Sequence, residues 1–240
     1  MKLCLSMLLV LSSSLFSQEQ AVKHSLRILP LGDPPPFQQE IRDGIRHEIP
    51  PEEGTIPPRD LKISPKPPEG QEPVSFPMKL RLGYMSAPMT FPLPPDRKID
   101  ADLQDGGSWL DIPLAAGDAT LALVFRGGKD WYQPRVLSVP DDAKGGDVVF
   151  LNVTGKPMGI VWGQEKLKLE PGKRLVRRID GGAKAVAVSI LYPTAAGALK
   201  ACLSTQVENE AKTCQQFVIY AADGVNTKEP VKVLPLSEQI

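Results

Sequence analysis

The chain has 240 residues, 42% of them apolar and 23% charged, which is enough to bury one sizeable core or two small ones without a metal or a dense disulfide set. Its 28 basic residues are balanced by 28 acidic ones, so it lacks the cationic excess with which a nucleic-acid binder meets phosphates. No nucleic-acid partner is expected.

Residues 1–17 read as a secretory signal peptide. Lys2 supplies the positive end, residues 3–11 a short apolar run, and residues 12–17 a small, polar approach to a cleavage site. The apolar run is too short to cross a hydrocarbon core, which takes about 20 residues. Cys4 lacks the preceding small residues that lipid attachment needs. The mature chain is therefore expected to be secreted, periplasmic or on the outer surface, with no lipid anchor and no membrane span.

Residues 18–74 are expected to form a proline-rich, extended N-terminal strap, because 17 of the 25 prolines lie between Pro30 and Pro95. Two stretches within it are more regular. SLRILPLG, from Ser25, sets Leu26 and Ile28 against Arg27 and Leu29, as in a half-buried strand. FQQEIRDGIRHEI, from Phe37, places apolar residues every fourth position as a helix would, yet Asp43-Gly44 at its centre is a strong hairpin signal. A glycine in mid-helix costs about 1 kcal/mol, which favours the hairpin. Residues 50–70 contain seven prolines, and Ile56, Leu61 and Ile63 punctuate them as the anchors of a strap laid over a domain, not as a free tether.

From Val74 onward the chain is a succession of short runs rich in Val, Ile, Leu and aromatics, broken by Gly-Gly pairs that start at Gly106, Gly127, Gly145 and Gly181. No run holds helical periodicity over the ten or so residues that a helix needs. The expected fold class is all-β, an Ig-like β-sandwich made of two related halves, residues 75–142 and 143–240. A weak repeat supports the pairing: LRLGYMSAPMTF, from Leu80, lays over VFLNVTGKPMGI, from Val149, with Leu82 on Leu151, Pro88 on Pro157 and Met89 on Met158.

The strand-turn-strand stretch GDVVFLNVTGKPMGIVWGQEKLKLEPGK, from Gly146, resembles the small β-sandwich domains of uncharacterised secreted bacterial proteins. The resemblance covers less than half of the chain. It implies a fold and a compartment and no function.

Catalytic machinery is sparse. The two histidines, His24 and His47, fall in the strap, and no GxSxG elbow supplies a nucleophile. No zinc set, Ca²⁺ loop or nucleotide-binding glycine motif is present, so no metal, cofactor or catalytic residue is assigned. Asp96, Asp100, Asp102 and Asp105 are spaced so that they could gather round a cation, although a solvated polar loop is the commoner reason for such residues. Asn152-Val153-Thr154 is a formal glycosylation acceptor that a strand would hide.

Trp131 and Tyr132, which follow Gly127-Gly128 among polar neighbours, are the candidate ligand-contacting residues, since flat rings on a loop can stack on sugar. Trp109 and Trp162 read instead as core residues at strand ends, and Arg174 and Arg178 as cations on a solvated strand face. Without Cys4, Cys202 and Cys214 form the single possible disulfide, closing a polar loop for about 3 kcal/mol in the chain-entropy model. The expected function is a non-enzymatic structural or interaction module of the cell envelope, with an envelope protein or polysaccharide as partner. The alternatives are a carbohydrate-binding module using the Trp131/Tyr132 loop and a carboxylate-dependent glycoside hydrolase.

Overall fold

Apolar and polar side chains that alternate over short runs, broken by glycine and proline, can bury one face only as β-strands. In the computed structural model, which describes residues 22–67, 70, 72–179, 182–225 and 227–240, every regular element is a strand. The segment read as a signal peptide lies outside these residues. No helix among them is long and apolar enough to cross a membrane.

The strands fall into two sets. The first comprises β1 (Lys23–Leu31), β2 (Gln38–Arg42), β3 (Ile45–Ile49), β4 (Asp60–Pro65), β5 (Phe76–Lys79), β6 (Met89–Pro92), β7 (Lys98–Leu103), β8 (Ser108–Pro113), β9 (Ala119–Arg126) and β10 (Pro134–Pro140). The second comprises β11 (Asp147–Asn152), β12 (Met158–Trp162), β13 (Glu165–Leu169), β14 (Arg174–Arg178), β15 (Ala185–Pro193), β16 (Leu199–Glu208), β17 (Thr213–Ala221) and β18 (Val231–Gln239).

With the hairpin β2–β3 set aside, the two sets have the same topology. In the first, one sheet runs β10-β9-β1-β6 and the other β5-β4-β7-β8; in the second, the sheets run β18-β17-β11-β14 and β13-β12-β15-β16. Each set has one parallel pair joining its first strand to its seventh, β1 with β9 and β11 with β17. Even the register irregularities correspond, falling at Ala101/Asp102 in β7 and Ile190/Leu191 in β15. Equivalent positions such as Leu61 and Met158, Ile63 and Ile160, or Ala101 and Ile190 are all buried.

This corrects the expected boundaries. The first half does not start at residue 75, because β1 and β4 supply two of its core strands; it starts at Lys23, and the second half starts at Asp147. The repeat proposed from the sequence is likewise out of register: Leu82 precedes β6, the fourth core strand, whereas Leu151 lies in β11, the first. Short apolar runs resemble one another, and residues 32–59 in the first half stand where the second has only residues 153–157, so spacing misleads the alignment.

Each half is a two-sheet sandwich with its own core. Leu26, Ile28, Ile63, Ile99, Ile112 and Val124 meet in the first, and Phe150, Ile160, Val188, Ile190, Phe217 and Ile219 in the second, where Phe150 stacks on Phe217 at 5.3 Å. A third cluster joins the halves. Leu29, Leu31, Leu121 and Leu123 on the other face of β1 and β9 pack against Val149, Leu151 and Val218 on the corresponding face of β11 and β17. Strands buried on both faces carry continuous apolar runs instead of alternation, and β11 is buried at every position. The result is four stacked sheets.

Charged groups fasten this seam. Near one end Arg27 donates to Asp141 at 2.6 and 2.7 Å and to Glu238 at 2.5 and 2.6 Å. Near the other, Arg126 donates to Asp223 at 2.7 Å, and Lys232 to Asp33 at 2.6 Å.

Where it is described, the strap expected over residues 18–74 contains a core strand, β1; an insertion, residues 32–59; and a second core strand, β4. The hairpin read at Asp43-Gly44 forms within the insertion, both residues taking the positive φ (52° and 78°) that a tight two-residue turn requires. Of the three anchors, Leu61 and Ile63 are fully buried, whereas Ile56 is 45% exposed.

Candidate functional site

Because the two halves share one topology, a segment found in only one of them marks where the chain departs from its own template. The insertion 32–59 is the largest such segment. It leaves β1 where the seam ends and, with the turn before β6, walls a cleft of about 860 Å³ whose far side is Tyr220 of β17 and Leu234 of β18.

Local chemistry positions the walls. The N–H of Leu80 donates to the carbonyl of Arg59 at 2.7 Å, tying the end of the insertion to the exit of β5. The chain then turns tightly: Gly83, at φ 74°, donates its N–H to Pro30 at 2.8 Å, and Tyr84 donates to Arg81 at 3.0 Å. In the stretch from Lys79 to Arg81, Leu80 points inward while the flanking cations stay exposed. Leu31, Pro57, Leu80 and Leu234 give the cleft an apolar lining, and Arg59, Lys79 and Arg81 surround it with positive charge. Among the described residues none of these three cations has an ion-pair partner. The Arg81 guanidinium lies 4.0 Å over the ring of Tyr84, which leaves that ring held yet 54% exposed.

At the inner side, burial, together with Asp33 and Asp223, pushes the Tyr220 phenol up to about 12, so it is a neutral group at physiological pH. Burial also pushes the Asp33 carboxyl up, but the Lys232 ammonium and the N–H of Gly224, at 2.6 and 2.8 Å, hold it below the usual carboxylate range. These acids are thereby occupied by partners of their own. The cleft can bind by apolar contact and by attraction of anions, since three cations against one facing acid, Asp60, leave a net positive rim whose field a low-dielectric wall focuses into it.

The residues singled out by sequence lie elsewhere. Trp131 is 2% exposed and sits in the first sandwich core, so it cannot offer a face to sugar. The insertion covers it: the carbonyl of Gly54 accepts its backbone N–H at 2.8 Å, and its own carbonyl accepts the Trp109 indole N–H at 2.8 Å. Gly54 takes φ 79°, where a side chain is strained, and an added Cβ would stand 2.8 Å from the ring of Tyr132, which would have to shift. Tyr132 itself is 59% exposed. Trp109 is in the core as expected, and Trp162 lies edge-on to Phe150 at 6.1 Å.

Cys202 and Cys214 are free thiols, which corrects the expected bridge. Cys202, on β16, packs on the second sandwich core, whereas Cys214, on β17, points to the opposite face of a different sheet, into the seam. Side chains directed to opposite faces cannot meet the specific geometry of a disulfide.

Asp96, Asp100 and Asp102 lie close enough to act on one another's charge but do not form a cation-binding set. Asp100 and Asp102 point out from β7, Asp105 accepts the N–H of Gly107 at 3.0 Å, and Asp96 lies 3.9 Å from Lys66. Burial and the facing Asp111, then Asp102 and Asp96, push Asp100 up. No group of acidic, histidine or cysteine side chains suited to a metal occurs among the described residues. Arg174 and Arg178 are taken up by Asp142 and Asp147. Asn152 is buried, its amide donating to the carbonyls of Lys156 and Leu169 at 2.9 and 3.0 Å.

Arg59, Lys79 and Arg81 carry no motif that marks them as a site in the sequence. The one available signal is their alternation with apolar residues beside a proline-rich segment, which without the fold is indistinguishable from a solvated strand. No protein-family model and no curated protein sequence matches the chain.

Proposed function

We propose that the chain is a non-enzymatic interaction module of the cell envelope, secreted or periplasmic, that holds an envelope partner at the seam cleft. The observation that carries this is the insertion: one half of a duplicated fold has a segment that builds a cleft rimmed by three cations without an ion pair among the described residues, and the other half has only residues 153–157 in its place. Binding residues concentrate on loops positioned by a rigid scaffold. The halves are taken as Ig-like in the broad sense of packed, mostly antiparallel sheets. Their grouping of first, fourth, seventh and eighth strands against the remaining four differs from that of Ig constant domains.

The carbohydrate-binding alternative loses its main residue with Trp131 buried and retains only Tyr132. For a carboxylate-dependent glycosidase, a pair that the strands set face to face is Asp100 and Asp111, across β7 and β8 outside the cleft. The two carboxyl groups hydrogen-bond each other, closer than the roughly 5–5.5 Å that separates the carboxyl groups of a retaining glycosidase.

The test is photo-crosslinking from position 84 in the secreting host, comparing the wild-type rim with Arg59→Glu/Lys79→Glu/Arg81→Glu. The module reading expects a defined adduct that the charge reversal abolishes while the melting temperature is kept. Persistence of the adduct in the reversed protein defeats it. N-terminal sequencing checks the compartment: a start near Gln18 is expected, and an intact Met1 in the membrane fraction reverses the assignment.

A further inference from the structure

We infer that the seam cleft is a site for an amphipathic anion, an alkyl or acyl chain ending in a phosphate or carboxylate, with the chain on the apolar lining and the head among Arg59, Lys79 and Arg81. The inference rests on the reading of this cleft as the binding surface and names what enters it.

Volume comes first. At about 860 Å³ the cleft falls within the roughly 300–1,000 Å³ typical of small-molecule sites, which are mostly apolar with a few convergent polar groups. Its apolar wall extends outward through Ile56 and Tyr84, respectively 45% and 54% exposed, and such contiguous exposed surface is what a hydrocarbon chain covers.

Charge comes second. Three cations without partners among the described residues favour a head with one or two negative charges, while a neutral head would leave them uncompensated. Of the neighbouring acids, Asp33 and Asp223 are held by Lys232 and Arg126, and Asp60, which faces Lys79 across β4 and β5, still leaves the three-cation rim net positive.

Backbone is the third consideration, and it weighs against an extended peptide. A peptide lying in a groove takes affinity from free main-chain groups. Here the N–H groups of Leu80, Gly83 and Tyr84 already donate to Arg59, Pro30 and Arg81. With these three donors occupied, the cleft offers a strand partner fewer main-chain bonds and favours recognition by side chains, as for a small amphiphile.

The experiment is calorimetric titration of the purified protein with dodecyl phosphate below its micelle concentration, beside hexyl phosphate, inorganic phosphate and dodecyl maltoside. Dodecyl phosphate is expected to bind at least about tenfold more tightly than the hexyl ester, inorganic phosphate or the maltoside, because only it offers both chain and charge. Arg59→Gln/Lys79→Gln/Arg81→Gln should weaken it by about 10- to 100-fold. Lys166→Gln/Lys173→Gln/Lys212→Gln removes the same charge from exposed sites elsewhere and should leave binding unchanged. Comparable binding of maltoside, of inorganic phosphate, or by the two triple variants overturns the inference, as does absence of dodecyl phosphate binding.

Sedimentation with phosphatidylglycerol vesicles separates the sources. Rim-dependent co-sedimentation identifies a membrane lipid, and its absence alongside dodecyl phosphate binding identifies a free amphiphile. If no amphiphile binds while the crosslinked partner still requires the three cations, this inference falls and the module reading stands. If dodecyl phosphate binds but the adduct ignores the rim, the module reading falls alone.

Discussion

Arg27 is the most informative single position in the seam. Its neighbours Leu29 and Leu31 on the same face of β1 are apolar and buried, yet its own side chain is only 12% exposed and meets Asp141, 10% exposed, and Glu238, 42% exposed. Burial alone would pull the guanidinium pKa down, but the hydrogen bonds from Asp141 and Glu238 outweigh it and hold the pKa above its ordinary value. Arg27→Met keeps length and removes charge, leaving Asp141 desolvated without its partner. Breaking a buried pair in this way costs about 3–5 kcal/mol, and because Glu238 can regain water the lower figure applies. For a chain of this size that is a fall of about 6–12 °C in melting temperature, read by scanning calorimetry. The double variant Arg27→Met/Asp141→Asn removes the orphaned charge as well and should recover more than half of the loss, since replacing both members of such a pair is often close to neutral. A single variant that melts with the wild type, or a double variant no better than the single, would refute the claim that this pair secures the seam.

Stability should also depend on pH through His24, which is fully buried and accepts or donates one hydrogen bond to Thr120 at 2.8 Å. Burial, then Arg97, lowers its pKa, so the unfolded chain takes up a proton that the folded one refuses; stability is complete above about pH 6.5 and declines below it, a slope that His24→Asn should flatten in urea titrations between about pH 6.5 and 5. Trp131→Ala should cost about 3–5 kcal/mol, whereas Trp131→Phe should cost far less, because the indole N–H has no partner among the described residues; equal losses in denaturant melts would contradict its placement. Unreduced protein should yield Cys202 and Cys214 as thiols on alkylation after denaturation, with Cys214 protected before it; a bridged peptide in non-reducing maps would restore the disulfide.

Much of the secondary structure was legible because it is written locally. Strand runs announce themselves by alternation, and Asp43-Gly44 specifies a tight turn by the positive φ both residues tolerate. Leu61 and Ile63, two apart between polar neighbours, were readable as buried before any partner was known. The candidate site was not legible: Arg59 is brought to Lys79 and Arg81 by the antiparallel pairing of β4 with β5, which the hydrogen bond from Leu80 to the Arg59 carbonyl extends, and nothing in either stretch names the other.

By itself, then, the sequence determined an all-β chain, its main turns, and which side chains of β4 face inward, since these follow from backbone sterics and a two-residue period. Only the tertiary structure decided that β1 lies parallel to β9 and β11 to β17, because pairing between strands so far apart is selected by the packing of whole faces. That choice buries β1 and β11 on both sides, places Cys214 on the face opposite the second sandwich core, and sets the true register of the duplication. It also turns a proline-rich stretch into an insertion that covers Trp131 and opens a cleft. Proline and glycine content limits a segment to extended and turning backbone, but where that backbone is laid depends on surfaces contributed by residues elsewhere in the chain.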